Sequence, residues 1–449
     1  MKITIVGSGY VGLVSGACFS EFGFDVTCVD KNQEKIDLLN QGKSPIYEPG
    51  LEALIVKNMK AERLSFTTNL GPSVKKSDAV FIAVGTPADP QTGEANLSYL
   101  EAAATEIAQH IETYTVVVTK STVPLDTHRR LALLIKKYVK NTSLFDVVSC
   151  PEFLREGSGI EDFMKPDRVI IGVQSTRAKE MMKKIFSPLS TQKIPIIFTS
   201  RLSAELIKYA NNCFLATKIA FINELADLSE VTGANIEDIS LGLGLDHRIG
   251  AKFLNPGPGY GGSCFPKDTQ ALMHMAEAYG SPLSIVRTVI ESNRQRKQQM
   301  GARIQKYISP KKGAKIAILG LTFKADTDDM RDSPSLDILP YLLDKGHHLA
   351  AFDPEGMKNA QEILSSHIHW GKNAYDVTKD ADALVVITEW NEFKSLDFTR
   401  IKTLMKTPLV IDLRNLYSEQ LLKDKGFYYI PLGKRPLLGH SMPKIVSAQ

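Results

Sequence analysis

Cysteine is scarce in this chain, and the few present form no pattern. Cys18, Cys28, Cys150, Cys213 and Cys264 are the five found in 449 residues. The number is odd and no CxxC or CxxH spacing occurs, so there is neither a disulfide framework nor a zinc site, and a reducing compartment fits. A strong charge bias is also lacking. The net charge is +4, too small to argue for nucleic acid. The clustered basic stretches, Arg294-Gln295-Arg296-Lys297 and Lys311-Lys312, read as solvated helix ends or linkers. No uninterrupted apolar run reaches membrane-spanning length. The first residues enter a strand and a glycine loop without an apolar signal region. The expectation is a cytoplasmic protein with no nucleic-acid partner, no membrane association and no metal. What is present is the composition of a soluble globular chain of two or three domains.

Glycine and proline concentrate in one place. Phe253 to Asp268 reads FLNPGPGYGGSCFPKD. Neither a helix nor a central strand tolerates that density, so the stretch is expected to be a shaped loop whose backbone can approach a ligand closely. A helical run follows from Thr269. Cys264 therefore falls near a helix N-terminus and beside Lys267, two features that favour the nucleophilic thiolate. Most cysteines are small buried thiols, but apolar packing residues are scarce on the N-terminal side of this loop.

The N-terminal part alternates strand and helix. Lys2 to Val6 reads as a buried strand, followed by Gly7-Ser8-Gly9-Tyr10-Val11-Gly12 and an apolar helical run. The next strand, Asp25 to Val29, ends in Asp30. This is GxGxxG in its proper context. Gly7 makes the turn, Gly9 lets the backbone reach a pyrophosphate at the helix N-terminus, and Gly12 allows close packing. Asp30 suits the ribose hydroxyls, so NAD is expected over NADP; Lys31 beside it weakens that preference. Later strands end at Thr86, at Thr122 and at Glu152, where the ligand crevice of an open α/β sheet lies. Thr86 and Thr122 alone would read as helix caps. Glu152 and Glu156, two carboxylates four residues apart, are poor cap chemistry.

From Leu202 to Val231 no Pro or Gly interrupts an apolar pattern, which predicts one helix of about thirty residues, roughly 45 Å long, able to link domains and to offer a dimer surface. Lys208 and Asn212 share a face at i, i+4, within a polar cluster of an otherwise apolar helix. From Lys315 a second strand-Gly-helix pattern begins, without the third glycine of the dinucleotide fingerprint. Lys324, Arg331 and Arg414 are its candidates for a diphosphate. The expected fold class is α/β, with two doubly wound Rossmann-like domains (1–201 and 310–449) joined by a central helical domain (202–309) built on one long helix.

Taken together, GSGYVGL, STVP, PEFLREG, ELIKYANN, RIGAKFLNPGPGYGGSCFPKD and GLTFKADTDDMRDSPS resemble, in this order, the UDP-glucose 6-dehydrogenase branch of the UDP-glucose/GDP-mannose dehydrogenase family. The resemblance runs from Lys2 to about Arg414. It implies an NAD-dependent four-electron oxidation of UDP-glucose to UDP-glucuronate through thiohemiacetal and thioester intermediates on Cys264. It implies that Lys208 stabilises oxyanion character, that Asn212 and Asp268 assist and position a water, that Glu152 is a base, and that Thr122 lies near that water. Gly7, Gly9, Tyr10, Val11, Gly12, Asp30, Lys31, Thr86, Thr122, Glu156 and Arg331 then correspond to cofactor contacts. Glu152, Phe153, Leu154, Lys208, Asn212, Phe253, Tyr260, Gly261 and Lys324 correspond to substrate contacts, and Arg248 to a residue reaching the substrate of a neighbouring subunit. A homodimer packed through the long helix is implied as well. The rivals are a sister enzyme acting on GDP-mannose or UDP-N-acetylmannosamine, a two-electron β-hydroxyacid dehydrogenase, and a nucleotide-sugar sensor without turnover. The stretch after Thr86 varies in length within the family.

Overall fold

A computed structural model describes residues 1–87, 95–308 and 313–437. Most of the variable stretch after Thr86 and the pair Lys311-Lys312 lie outside the described residues. The chain divides into two compact units, Met1–Asn211 with His274–Ser281, and Asn212–Met273 with Pro282–Gln449.

The first unit is built on eight strands: β1 (Lys2–Val6), β2 (Asp25–Val29), β3 (Leu64–Thr67), β4 (Ala79–Ile82), β5 (Thr115–Thr119), β6 (Phe145–Ser149), β7 (Val169–Gly172) and β8 (Ile196–Thr199). Their order in the sheet is β3-β2-β1-β4-β5-β6-β7-β8. Neighbours run parallel except β6 and β7, which meet antiparallel at Ser149 and Gly172. β5, Thr-Val-Val-Val-Thr, is buried at every position, as suits β-branched residues in a sheet covered on both faces. The helix Tyr10–Glu21 is buried from Gly12 through Ser20. It is apolar nearly all round, which makes it a core helix. Its Phe19 ring packs on Phe163 at 4.9 Å and Phe81 at 5.0 Å. β3 had no clear sequence signal, because Leu64-Ser65-Phe66-Thr67 is a short edge strand with only two buried residues.

The second unit carries six parallel strands: β9 (Lys315–Leu319), β10 (His348–Phe352), β11 (His369–Trp370), β12 (Ala383–Val386), β13 (Leu409–Asp412) and β14 (Tyr428–Ile430). Their order, β11-β10-β9-β12-β13-β14, repeats the 3-2-1-4-5-6 arrangement of a dinucleotide fold. The acid at the end of β10 has a different use, however. Asp353 is fully buried and accepts hydrogen bonds from the backbone of Leu321, Thr322 and Gly356 and from Trp390 Nε1. It braces the turn after β9 and leaves nothing for a ribose. Under this sheet, Met300, Ile304 and Ile308 of the helix Ser284–Ile308 join the core.

The long helix is real: Arg201–Thr232, 32 residues without a break, about 48 Å at the standard rise. Its residues up to Asn211 belong to the first unit and those from Asn212 to the second. The helix Ile236–Leu245 after it was not foreseen, because Gly242 and Gly244 depress its propensity. Its start is fixed by the Asn235 side chain, which accepts from Glu237 N. Among the described residues no helix is long and apolar enough to cross a membrane.

Candidate active site

In the first unit the three fingerprint glycines have different physical jobs. Gly7 has φ +106°, and a Cβ there would lie 2.6 Å from the Ala83 carbonyl oxygen. At Gly12 a Cβ would collide with the Gly7 carbonyl, so the helix can sit on the turn only with glycine. Among the described residues nothing would lie within 4 Å of a Cβ on Gly9 or Gly85, which suits a cradle at a helix N-terminus. Asp30 Oδ2 accepts from Ser8 N at 2.7 Å and Oδ1 from Asn32 N at 3.0 Å. It thus braces the turn, and its remaining lone pairs can still meet ribose hydroxyls. These residues fit a dinucleotide. Lys31 is exposed, 3.9 Å from Glu106. Val11 packs against the core. The Tyr10 hydroxyl lies 2.8 Å from Glu48 and 2.6 Å from the Arg155 carbonyl; burial and then Glu48 push its pKa far above the ordinary phenol value.

At the ends of β4 and β5 the capping reading fails. Thr86 Oγ1 donates to the Thr122 carbonyl at 2.8 Å, and the helix after β5 begins only at Thr127. Beyond β6, Glu152 meets the long helix. Lys208 Nζ donates to Glu152 Oε1 at 2.9 Å, with the two side chains 4% and 6% exposed. Glu152 Oε2 accepts from Leu154 N. The Phe153 ring carries the Arg168 guanidinium at 3.9 Å and Lys208 Nζ at 5.3 Å, while Glu156 is half-buried. A cleft of about 10 Å3, lined by Thr119, Ser121, Thr122, Ser149, Glu205 and Lys208 among others, has room for one water.

In the second unit Cys264 is the one free cysteine that is not buried. Burial pushes the thiols of Cys18, Cys28 and Cys213 up to about 12 and raises that of Cys150, which keeps them protonated and inert. Cys264 directly precedes the helix Phe265–Ala278, and its carbonyl accepts from Asp268 N at 2.8 Å. Ser263 Oγ lies 3.4 Å from its sulfur. Asp268, fully buried, accepts from Asn212 Nδ2 and from Lys267 Nζ, both at 2.7 Å. Lys267, expected to support the thiolate, is thus engaged by Asp268, and the helix N-terminus is the clearer source of that support.

The glycines of the loop also serve packing. A Cβ on Gly257 would lie 2.9 Å from Arg414 Nη1, one on Gly259 2.7 Å from the Lys297 stem, and one on Gly262 2.7 Å from the Phe323 ring, while one on Gly261 would strike the Asp332 carbonyl. The protein's own groups fill the space these glycines free. In the basic run 294–297, Arg294 and Gln295 are exposed as expected, and the solvated reading fails for the other two. Arg296 and Lys297 are buried; Arg296 Nε donates to the Gly257 carbonyl at 2.5 Å, and Asn223 Oδ1 accepts from Gly257 N at 2.8 Å. Asn293 clamps the main chain of Tyr260 at 2.8 and 3.0 Å. The Tyr260 ring packs with Ala216, Ala220 and Val289, so its side chain is a core group and its main chain is committed to Asn293. Phe253 sits at φ +66°, a strained setting for an aromatic residue that persists only when its surroundings impose it. Lys324 Nζ stands 5.8 Å over the Phe323 ring. Arg331 is held by Asp329 at 2.7 Å, and Arg248 is exposed and paired with Asp246. Arg414 donates to the carbonyls of Ile387 and Phe323 and pairs with Glu389, which commits it to the fold rather than to a diphosphate.

Two buried carboxylates escaped the sequence reading. Glu48 accepts from Gly157 N and Gly159 N, both at 2.7 Å, and holds the loop that carries Glu156. It stands in a turn-rich stretch with no motif to mark it. Glu205 lies inside the ELIKYANN run, three residues before Lys208. That i, i+3 spacing was its one available signal.

Comparison with known proteins places three family models on the chain in order: the UDP-glucose/GDP-mannose dehydrogenase family NAD binding domain over residues 1–190, its central domain over 202–295 and its UDP binding domain over 317–419. The chain is 51% identical over 437 residues to the UDP-glucose 6-dehydrogenase of Rhizobium meliloti (strain 1021), covering 97% of this chain and 100% of that one. It is 43% identical to UDP-glucose 6-dehydrogenase TuaD of Bacillus subtilis (strain 168), covering 98% and 94%. Among solved structures it resembles a UDP-glucose dehydrogenase from the hyperthermophilic archaeon Pyrobaculum islandicum, with TM-score 0.88 and 33% identity over 96% of this chain and 98% of that one.

Proposed function

The chain belongs to the UDP-glucose/GDP-mannose dehydrogenase family, and on that premise we propose that it oxidises UDP-glucose at C6 to UDP-glucuronate, consuming two NAD+ and one water per substrate. The observation that carries the reading is Cys264: the one cysteine left outside the core, directly before a helix whose Asp268 is buried with Asn212. Turning an alcohol into a carboxylate removes four electrons, and a nucleophile is needed to hold the aldehyde between the two oxidations. A pure binder or a two-electron dehydrogenase has no use for it.

Gly7, Gly9, Gly12 and Asp30 would hold NAD+, which would supply the oxidant for both oxidations as a hydride acceptor. Lys208 stabilises the negative charge that develops on the C6 oxygen. The Cys264 thiolate forms a C–S bond to the aldehyde carbon, giving a thiohemiacetal, whose oxidation leaves a thioester. Water then attacks the thioester carbonyl, the C–S bond breaks, and sulfur departs as thiolate. Glu152 takes the water's proton, while Asn212, Asp268 and Thr122 orient that water. Thr86, Glu156 and Arg331 are assigned to the cofactor. Phe153, Leu154, Phe253, Gly261 and Lys324 are assigned to the sugar nucleotide. Residues 1–201 are accordingly the NAD-binding domain, 202–309 the central domain and 310–449 the domain that holds UDP; the enzyme is cytoplasmic.

The test is stoichiometric. With limiting UDP-glucose and excess NAD+, two NADH should appear per substrate consumed. A single NADH would sink the four-electron reading. GDP-mannose and UDP-N-acetylmannosamine should give kcat/KM lower by about 100-fold or more, the scale set when a polar site rejects the wrong hydroxyl pattern. A preference for either would assign the chain to a sister activity.

A homodimer through the long helix is part of the same proposal. Phe214, Phe221 and Leu228 recur every seven residues on one face and are 67%, 52% and 56% exposed. Leu241 and Leu245 of the following helix are exposed too. Apolar side chains in such a row mark an interaction surface, and a second copy offers the same row in return. Arg248, exposed and held by Asp246, is the residue proposed to reach the partner's substrate. Substituting Phe221→Glu together with Leu228→Glu should convert the dimer to a monomer in sedimentation experiments. An unaltered mass would refute this surface.

A further inference from the structure

Glu205 takes no part in the mechanism above, yet its carboxylate is among the most heavily bonded in the first unit. Its side chain is 2% exposed. Oε2 accepts from Asp126 N at 2.9 Å, and Oε1 accepts from His128 N at 3.0 Å and from Ser149 Oγ at 3.3 Å. His128 Nδ1 lies 3.0 Å from Oε2. The helix that begins here, Thr127–Tyr138, has Asp126 at its N-cap position, and that side chain makes no capping bond. Glu205 reaches across from another helix and caps it instead. Asp126 also sits at φ +68°, a left-handed setting that costs a non-glycine residue about 1 kcal/mol or more and must be held from outside.

The segment so held is the one that carries Thr122. Its N-terminal side is tied to the end of β4: Ser121 Oγ donates to the Val84 carbonyl at 2.7 Å, and the Thr122 carbonyl accepts from Thr86. Glu205 supplies the tie on the C-terminal side. Thr122, Glu205 and Lys208 all line the same small cleft. We propose that Glu205 is a positioning residue: through Asp126 and His128 it fixes the 121–128 turn, and with it the Thr122 hydroxyl, for the water-dependent step. This rests on the role proposed for Thr122.

Glu205→Gln is a sharp probe. Oε1 and Oε2 each accept from a backbone N–H, so whichever way the amide turns, its NH2 faces a donor and one tie is lost. The variant should keep its fold while amide exchange at Asp126 and His128 accelerates. Its kcat, per enzyme able to bind NAD+, should fall about 10- to 100-fold, the cost of displacing a group by an ångström or less, with KM for UDP-glucose within about threefold. The deciding comparison is Thr122→Ala alone and combined with Glu205→Gln. If Glu205 acts through Thr122, the double variant is no slower than Thr122→Ala. Multiplicative losses would overturn the proposal, and so would exchange rates unchanged in Glu205→Gln. If the wild type fails to oxidise UDP-glucose, the functional reading fails, and the exchange measurement still tests the anchor.

Discussion

Replacing Cys264 by serine should abolish steady-state formation of UDP-glucuronate. Turnover is expected to fall by about three orders of magnitude or more, the scale seen when a covalent nucleophile is removed. The substitution is close to isosteric and the site is only half-buried, so the melting temperature should hardly move. Chemistry, rather than folding, is then what is lost. A thiolate forms readily at a helix N-terminus, whereas a serine alkoxide does not. The helix Phe265–Ala278 starts immediately after the residue, and that orientation survives in the serine variant. Mass spectrometry of enzyme quenched during turnover should find a covalent sugar-nucleotide adduct on wild type and none on Cys264→Ser. Unchanged turnover by the variant would refute the nucleophile assignment outright. Loss of turnover together with loss of fold would not be accepted as support, which is why the melting curve belongs to the same experiment.

The features legible in the sequence are those imposed by local physics. The GxGxxG turn could be read because Gly7 needs a positive φ and Gly12 a missing side chain, and no other residue type meets either need. The long helix could be read because nothing in it interrupts the pattern. Lys208 stood out as a charge within an apolar helix, and its buried partner Glu152 as a carboxylate at a strand end. What could not be read depends on distant packing. The glycines of the cysteine loop suggested open backbone, but the space a side chain would take there is occupied by Phe323, Asp332, Lys297 and Arg414, 38 to 157 positions away in the chain, and no local rule predicts such neighbours. Arg296 looked like a solvated cation for the same reason: its acceptors, the Gly257 and Asn223 carbonyls, are remote in sequence. Glu48 was missed because a carboxylate that caps a remote backbone leaves no spacing to recognise, and Glu205 because its spacing to Lys208 says nothing of the distant backbone it caps.

Lys208→Ala should damage the enzyme in two separable ways. It removes the cation proposed to steady the C6 oxygen, which should lower kcat by about 100- to 1,000-fold. It also strands the Glu152 carboxylate, whose side chain is 6% exposed and whose partner at 2.9 Å is gone. Breaking a buried pair from one side costs about 3–5 kcal/mol, because the remaining charge keeps its desolvation penalty without compensation. Removing both charges avoids that penalty. The double variant Glu152→Gln with Lys208→Met should therefore recover most of the stability lost in Lys208→Ala, while its turnover stays as low or falls further, since the proposed general base has gone too. Urea melts and kcat measured on the three proteins separate the two effects. Recovery of turnover along with stability would mean that Lys208 serves only the fold. Persistent inactivity in a stable double variant is the expected result, and it would locate the function of the pair in the reaction rather than in the core.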